Sequence, residues 1–512
     1  MIPQVIQKVF VLMSCTFLGL ICGTLYLYSS YSPQFADRLS YTVTDSSTIA
    51  LVGTIGVAVA GPLAGAVVDK KGYSVALCIG GLSIVSGYLG MKKQFDHQYS
   101  SLRVSSSLVF LIGIGSTFIN SACLKCCAVS FPSIRGVATS LPLALYGLSA
   151  LFYSVIASIF FPGDTSSFLG FLAYSAIVIL AVCAPSIMIC DREHKLRRTT
   201  HNIHPTNSIE LNTLRPLMSM PASPQTSRPP RPIHARSPSY LYQESSHSIS
   251  GIELVKSYEF WLIFIVTGTL ASLGQMYIYS VGYMVKALIS YKVNLGNIHT
   301  LQFSVPEIDV LIQKDQQLQV GLLSIANCIG RISSGILGDI VAQSFHKPRS
   351  RLLFVPCIGL MVCQVLGGRI SEYPTLFINS LMTGFFYGFT FCNIPIIVGD
   401  IFGMDNFSSN WGIVGLAPIL PSFYFTGLFG KIYDSNSLLL LGPLLGVEGE
   451  VPRKDFVCLL GNQCYNSIFS ITLGVTFLAL ACVTLLNFGK KWFPSHGSLP
   501  LSSVGSPIQV PK

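Results

Sequence analysis

Long apolar stretches alternate with short polar ones along almost the whole chain. Twelve stretches are long enough to cross a bilayer as a helix, which takes about 20 residues. They fall near 9–31, 46–68, 73–91, 105–130, 136–161, 167–190, 258–285, 318–339, 352–369, 375–399, 409–429 and 467–489. Of the 512 residues, 51% are hydrophobic and only 11% are charged, and the mean hydropathy is +0.59. This composition is typical of a polytopic membrane protein.

The first six stretches and the last six carry related sequence. The segment GAVVD at 65–69 recurs as GILGD at 335–339, and GTLYLYS at 23–29 recurs as GQMYIYS at 274–280. Two related sets of apolar segments are typical of a transporter built from structural repeats, with its binding site between the halves. We therefore predict an all-α membrane protein with two six-helix bundles related by pseudo-symmetry. The N-terminal bundle covers 1–190 and the C-terminal bundle 258–490.

Residues 191–257 differ from the rest, because Pro, Ser, Arg and His dominate and no apolar periodicity remains. Such a composition predicts a disordered linker, and 491–512 reads as a similar tail. Lys and Arg are more frequent on the side of this linker, which places the linker and both termini in the cytosol. The formal charge of +10 thus reflects membrane topology, and nucleic-acid binding is not expected.

Several kinds of chemistry lack the residues they need. All nine histidines fall in loops or in the linker, and no phosphate-binding glycine loop is present. No metal site, no cofactor and no catalytic constellation within a span is predicted, so we do not expect an enzyme. We expect a small-molecule solute and the lipid bilayer as partners, and a monomer.

One cation, Arg331, falls in the middle of a predicted span. It precedes Asp339 by eight residues, about 12 Å of helix rise, which places it near the midplane. Asn327 lies on the same helix face, in a polar stripe with Ser324 and Ser334. Two interpretations remain open: Arg331 marks a substrate path, or it ties two helices together through carbonyl groups.

Lys125 is the counterpart of Arg331 in the first half. It either contributes to the same site or extends its ammonium group to the headgroups. No Asp or Glu lies in the middle of any predicted span, so neither cation has an obvious partner. A cavity with two such charges favours an anion, such as a small carboxylate.

Other polar residues fall on spans expected near the central axis. Tyr387 belongs to a stripe in the tenth span together with Asn379, Thr383 and Thr390. Gln275 lies in the repeated segment, which holds Tyr26 and Tyr28 in one half and Tyr277 and Tyr279 in the other. The tyrosines form either an aromatic belt at the membrane interface or part of the cavity.

Cys458 and Cys464 differ from the other cysteines, because they lie in the loop 430–466 and not in an apolar stretch. The predicted topology places this loop outside the cytosol, where a disulfide persists. We favour a disulfide between them over two free thiols.

The segment GAVVDKKG at 65–72 resembles the loop motif between helices 2 and 3 of the major facilitator superfamily. In that family the acidic and basic residues of the motif form a cytosolic latch in the outward-facing state. The resemblance assigns this latch to Gly65, Asp69, Lys70 and Gly72, and to Gly335 and Asp339 in the second half. By topology, Arg135 and Lys70 are the nearest candidate partners of Asp69.

The segment FPSIRG at 131–136 resembles the nodulin-like branch of this superfamily. The whole pattern, with Cys458, Cys464 and the Ser/Pro-rich linker, is similar to the fungal monocarboxylate-transporter homologues. Those proteins are classed as probable transporters of the vacuolar membrane, so the resemblance implies that location, with the plasma membrane as the alternative. In the monocarboxylate family a helix 8 arginine contacts the substrate carboxylate, and Arg331 occupies the matching position.

Together these features predict a secondary transporter that works by alternating access, two bundles rocking about a central site. The alternative function is a non-transporting membrane sensor that signals through the cytosolic linker.

Overall fold

A computed structural model of the protein describes residues 4–41, 43–161, 163–203, 249–295, 305–441 and 454–492. Within these ranges, twelve helices are long and apolar enough to cross a membrane. They form two bundles of six, as the apolar stretches and the repeats predict. The predicted helical membrane fold is therefore confirmed.

The N-terminal half contains seven helices. They are α1 (Gln4–Cys22), which a 3₁₀ turn (Gly23–Leu27) joins to α2 (Tyr28–Leu39), then α3 (Val43–Lys71), α4 (Tyr73–Asp96), α5 (Leu102–Ser130), α6 (Arg135–Phe160) and α7 (Thr165–Ile203). A short 3₁₀ turn, Pro132–Ile134, precedes α6.

The C-terminal half begins with a short helix and ends with a long one. Its helices are α8 (Ile252–Lys256), α9 (Tyr258–Leu295), α10 (Val305–Gln343), α11 (Phe354–Gly367), α12 (Tyr373–Phe402), α13 (Phe407–Val414), α14 (Ile419–Ser435) and α15 (Asn466–Trp492). A 3₁₀ turn, Arg349–Leu353, precedes α11. The eleventh span is broken into α13 and α14.

A small antiparallel hairpin follows α14. Strand β1 (Leu438–Leu441) pairs with β2 (Lys454–Val457), and a disulfide joins Cys458 to Cys464 directly after it. We call this side of the molecule the hairpin face. The opposite side carries both ends of the linker, Ile203 and Ile249, and we call it the linker face.

The ordered ends of both halves extend into the segment predicted as linker. Helix α7 continues to Ile203. At the start of this continuation, Asp191 accepts the backbone N–H groups of Tyr73 and Ser74 and so anchors the helix to the start of α4. At the other end Leu254 of α8 is fully buried. Residues 204–248, and 493–512 of the predicted tail, lie outside the described residues.

The two halves approach each other most closely where glycines replace side chains. A Cβ on Gly335 of α10 would collide with the carbonyl oxygen of Gly136 on α6, and a Cβ on Gly136 would collide with that of Gly335. Likewise Gly65 of α3 packs against the backbone of Ser408 on α13, and Gly61 packs against Gly412. These contacts bring backbones of opposite halves together near the linker face.

Replacing Gly335 by Ala should separate α6 from α10. An Ala in a helix interior normally gains about 0.5–1 kcal/mol over Gly, but here the added methyl meets a backbone carbonyl of the other half. We expect Gly335→Ala to melt at a lower temperature than Gly338→Ala, measured by thermal unfolding of the purified protein. Gly338 is the matched control, because it lies on the same helix and its Cβ would meet only side-chain atoms of Arg349 and Leu352, at 3.7 Å or more, which is ordinary van der Waals contact. Equal melting temperatures for the two variants would contradict the close contact.

Candidate functional site

Asp69, at the end of α3, is the centre of a polar network that joins the halves. Its carboxylate accepts hydrogen bonds from the ammonium group of Lys125 and from the backbone N–H groups of Ser409 at 2.7 Å and Ser408 at 3.3 Å. Lys125 also donates to the carbonyl of Asp405 at 2.7 Å. The Lys125 and Asp69 side chains are only 1% and 4% exposed. A carboxylate of the N-terminal half thus accepts hydrogen bonds from backbone N–H groups at the start of α13, which belongs to the C-terminal half.

Asp339, at the end of α10, repeats this arrangement in the opposite direction. Its carboxylate accepts the N–H groups of Gly136 at 2.9 Å and Val137 at 2.8 Å, which open α6 of the N-terminal half. Arg349 donates to Asp339 at 3.0 Å and to Asp400 at 2.6 Å. The two networks therefore close the linker face from both sides of the pseudo-symmetric molecule.

The predicted partners of Asp69 are not the observed ones. Arg135 pairs with Asp400 at 3.9 Å, in the Asp339 network, and Lys70 is exposed and forms no ion pair within the described residues. Lys125 takes their place, because it lies on α5 with its side chain directed at Asp69. The prediction that Lys125 lacks an acidic partner is therefore wrong. The assignment of Lys125 to the substrate site stays a prediction.

Gly72 of the predicted latch has a structural role. Gly72 lies between α3 and α4 with a φ of +97°, a backbone conformation that favours glycine. A Cβ there would also collide with Asp191 and Lys195.

An apolar plug lies next to the ion networks. It is formed by residues of both halves: Leu124, Leu143, Cys392, Ile396 and Phe407. Together the plug and the two networks form what we call the linker-face gate.

Arg331 lies beyond the plug and is 4% exposed. Its Nε donates to Asn327 Oδ1 at 2.7 Å, and its Nη1 donates to the carbonyl oxygen of Leu143 at 2.6 Å. The guanidinium carbon lies 5.5 Å from the centroid of the Tyr146 ring. Leu143 and Tyr146 belong to α6, so Arg331 connects the halves, and the carbonyl tie is the arrangement seen in this conformation. Within the described residues, no carboxylate pairs with Arg331.

Tyrosines of both halves surround the same space. Tyr26 packs edge-on against Tyr146, with ring centroids 5.8 Å apart. Tyr26 and Tyr279 remain 42% and 45% exposed. The ring of Tyr387 is 3% exposed and rests on Gly274, where a Cβ would collide with it. The exposed tyrosines thus line a space between the halves that the gate closes at the linker face.

Gln275 lies beside this space. Its side-chain oxygen accepts a hydrogen bond from the hydroxyl of Ser422 on α14. The predicted residues Arg331, Asn327, Gln275 and Tyr387 therefore lie on helices around the central space, whereas the side chain of Lys125 belongs to the Asp69 network.

The four tyrosines of the repeated segment divide between two environments. Tyr28 and Tyr277 are buried within their own halves, where their hydroxyls pair with Ser46 at 3.3 Å and Ser380 at 2.8 Å. Tyr26 and Tyr279 are exposed, although they are not equivalent in the repeat. The 3₁₀ turn at Gly23–Leu27 contributes, since its tighter winding adds about 20° of rotation per residue, or about 100° by the end of its five residues.

Sequence reasoning missed several members of the site. Backbone groups, such as the Leu143 carbonyl and the N–H groups of Ser408 and Ser409, have no side-chain signature. Arg349 lies in a polar loop after a span, where a cation is ordinary. One sequence signal could have located the contacts between the halves. Gly65 and Gly335 each lie four residues before an Asp, Asp69 and Asp339 respectively.

Comparisons with known proteins agree with this architecture. Residues 8–213 match the Nodulin-like family model. An uncharacterized membrane protein of Saccharomyces cerevisiae, YMR155W, is 27% identical over 88% of this chain and 89% of its own. Probable transporters named MCH1 are similar at 25% identity in Candida albicans (96% and 93% covered) and at 24% in Wickerhamomyces anomalus (89% and 89%).

Solved structures show the same fold. The proton:xylose symporter XylE superimposes with a TM-score of 0.59 at 13% identity, covering 95% of this chain and 96% of its own. The transporter FucP gives 0.53 at 13% identity, with 93% and 98% covered. The chain thus combines two repeated halves and twelve spans with a nodulin-like match over residues 8–213, similarity to the fungal MCH1 probable transporters along most of its length, and the fold of solved major facilitator superfamily structures.

Proposed function

We propose that this protein is a secondary transporter that moves a small organic anion, such as a monocarboxylate, by alternating access. The observation that carries the proposal is Arg331, a buried cation without a carboxylate partner in the described residues, at the contact between two halves. The names of the MCH1 relatives and of the xylose and fucose symporters of the same fold support the general class of function.

The linker face is proposed to be the cytosolic side, with both termini in the cytosol. The structure then represents an outward-facing state, in which the gate excludes the cytosol and Tyr26 and Tyr279 face the accessible space. The similarity to the fungal relatives supports the vacuolar membrane as the location, with the plasma membrane as the alternative.

Arg331 is suited to bind a carboxylate. A guanidinium group donates two parallel hydrogen bonds to a carboxylate, which an ammonium group does not. A cation at this depth is costly unless it faces protein or water, and here weak neutral acceptors, Asn327 and the Leu143 carbonyl, satisfy it. An anionic substrate is a stronger acceptor and competes with the Leu143 carbonyl.

Replacing Arg331 should impair transport more than folding. Arg331→Lys keeps the positive charge but loses the planar guanidinium group that makes two parallel hydrogen bonds, so uptake should weaken. Arg331→Ala should abolish uptake. A hydrogen bond to a charged group contributes about 1.5–3 kcal/mol, which corresponds to at least about a tenfold loss of apparent affinity. Uptake of a panel of labelled organic anions into proteoliposomes measures this loss.

Arg369→Ala is the control, because Arg369 is an exposed cation near the hairpin face and its loss should leave affinity unchanged. If Arg331 acts only as a tie between helices, Arg331→Ala will fold poorly and the surviving protein will have normal kinetics. Well-folded Arg331→Ala that carries an organic anion with wild-type affinity would refute the proposed anion site.

Asp69→Asn should open the linker-face gate. It removes the carboxylate charge that faces the buried ammonium group of Lys125, and loss of one member of a buried ion pair costs about 3–5 kcal/mol. We expect Cys392, a buried native thiol of the plug, to react at least about tenfold faster with an impermeant reagent added at the linker face. Mass spectrometry of the labelled peptide measures the rate.

The matched control for this variant is Asp405→Asn. It removes an exposed carboxylate from the same face but keeps the backbone carbonyl that binds Lys125. Equal labelling of Cys392 in both variants would show that Asp69 does not hold the gate.

A non-transporting sensor remains the competing function, and deletion of 204–248 separates the two. The deletion spares the end of α7 and Ile249, whose N–H and carbonyl bond Phe402 and Asn410. A transporter should keep most of its flux when a flexible connection of sufficient length replaces the deleted segment. Loss of a cellular response in the deletion variant, with no flux measurable in the intact protein, would favour the sensor.

A further inference from the structure

A second cavity lies at the linker face, outside the gate and between α4 and α7. Its volume is about 470 Å³, and its walls include Ser74, Met188, Ile189, Arg192, Lys195 and Leu196. None of these residues contributes to the gate or to the space around Arg331.

One wall of this cavity is apolar and faces outward. Met188, Ile189 and Leu196 are 47%, 56% and 62% exposed and belong to the last turns of the α7 span. Large apolar side chains exposed at the end of a membrane span contact lipid chains.

The other wall is cationic. Arg192 is exposed and has no hydrogen-bond or ion-pair partner within the described residues. Lys195 pairs with Asp191 at 2.9 Å, yet its side chain remains 51% exposed. Lys70 and Lys71, in the last turn of α3, are two further exposed cations on the same face.

The acid in the cavity is already engaged. Asp191 accepts the N–H of Tyr73 at 3.1 Å and that of Ser74 at 3.3 Å, and the Ser74 hydroxyl donates to it at 2.7 Å. Asp191 shares its oxygens between the start of α4 and Lys195, and it forms no ion pair with Arg192, whose charge faces the cavity.

We propose that this cavity binds an anionic phospholipid from the leaflet at the linker face. The phosphate and the anionic headgroup lie against Arg192 and Lys195, and an acyl chain follows Met188 and Ile189. Basic residues at the boundary of a membrane span attract anionic headgroups, and the adjoining apolar wall adds contact area that a soluble phosphate does not use. The side chain of Lys195 also lies against Gly72, three residues after Asp69, so the bound lipid adjoins the loop that carries the gate.

The test compares phosphatidylserine with phosphatidylcholine, by native mass spectrometry of the full chain in detergent titrated with each lipid. We expect the wild-type protein to retain phosphatidylserine adducts preferentially. Arg192→Gln should weaken this binding by about fivefold, and Arg192→Gln combined with Lys195→Gln by about 10- to 30-fold, the loss expected for two cations near an anionic surface. Inorganic phosphate at millimolar concentration should not displace the lipid.

Arg192→Gln alone keeps the test valid if the double variant folds poorly, because Arg192 makes no bond within the described fold. Lys347→Gln is the control, since Lys347 is an exposed lysine of the same face, far from this cavity in the chain, and binding should stay at the wild-type level. Equal binding of both lipids by the wild-type protein would overturn the proposal. Unchanged phosphatidylserine binding by Arg192→Gln, or displacement by phosphate, would do the same.

Discussion

The closed linker face depends on two carboxylates that each bind the start of a helix in the opposite half. An acid at the C-terminal end of a helix is disfavoured, because the partial charge there is also negative. Asp69 and Asp339 tolerate this position because a cation and two backbone N–H groups surround each of them. Both sets of N–H groups belong to the other half. The carboxylates therefore keep the N–H groups as partners only while the halves are together.

Glycines make these contacts possible. Gly65 and Gly335 precede Asp69 and Asp339 by one helical turn, so each lies on the same helix face as its acid. Without a Cβ, the backbones of opposite halves approach closely enough for a short Asp side chain to reach the N–H groups beyond. The acid and the glycine thus act together as one acid–glycine pair, which occurs once in each half, as Gly65 with Asp69 and as Gly335 with Asp339.

Both copies of the repeat contain this acid–glycine pair, but the cation that binds the acid differs in position between the two copies. The acids and glycines recur at matching positions, so their place in the structure follows from the sequence alone. Lys125 lies within α5, whereas Arg349 lies in the 3₁₀ turn before α11, and no shared spacing relates them. For this reason the spans, the two halves and the latch acids could be predicted, and the partners of Asp69 could not.

Two other differences have local physical causes. Five residues of 3₁₀ helix rotate the tyrosines of the first copy of the repeat relative to those of the second. The exposed tyrosines, Tyr26 and Tyr279, are therefore not at equivalent positions in the two copies. A change of helix type has no composition signal in GTLYL, whose counterpart in the second half stays α-helical. Likewise, the end of α7 reads as linker by composition, and tertiary contacts of Asp191, Glu193 and His194 hold its first part against the N-terminal bundle.

Arg331 combines the two interpretations that the sequence leaves open. Its bond to the Leu143 carbonyl crosses between the halves, so it must break if α6 and α10 separate there. A buried cation that loses an acceptor is costly, and this cost opposes opening of the gate in the absence of substrate. Under the proposed function, a substrate carboxylate replaces the Leu143 carbonyl before the halves separate and removes that cost. The tie between helices and the anion site are then successive states of one residue, and substrate binding is coupled to opening because both depend on the same guanidinium group.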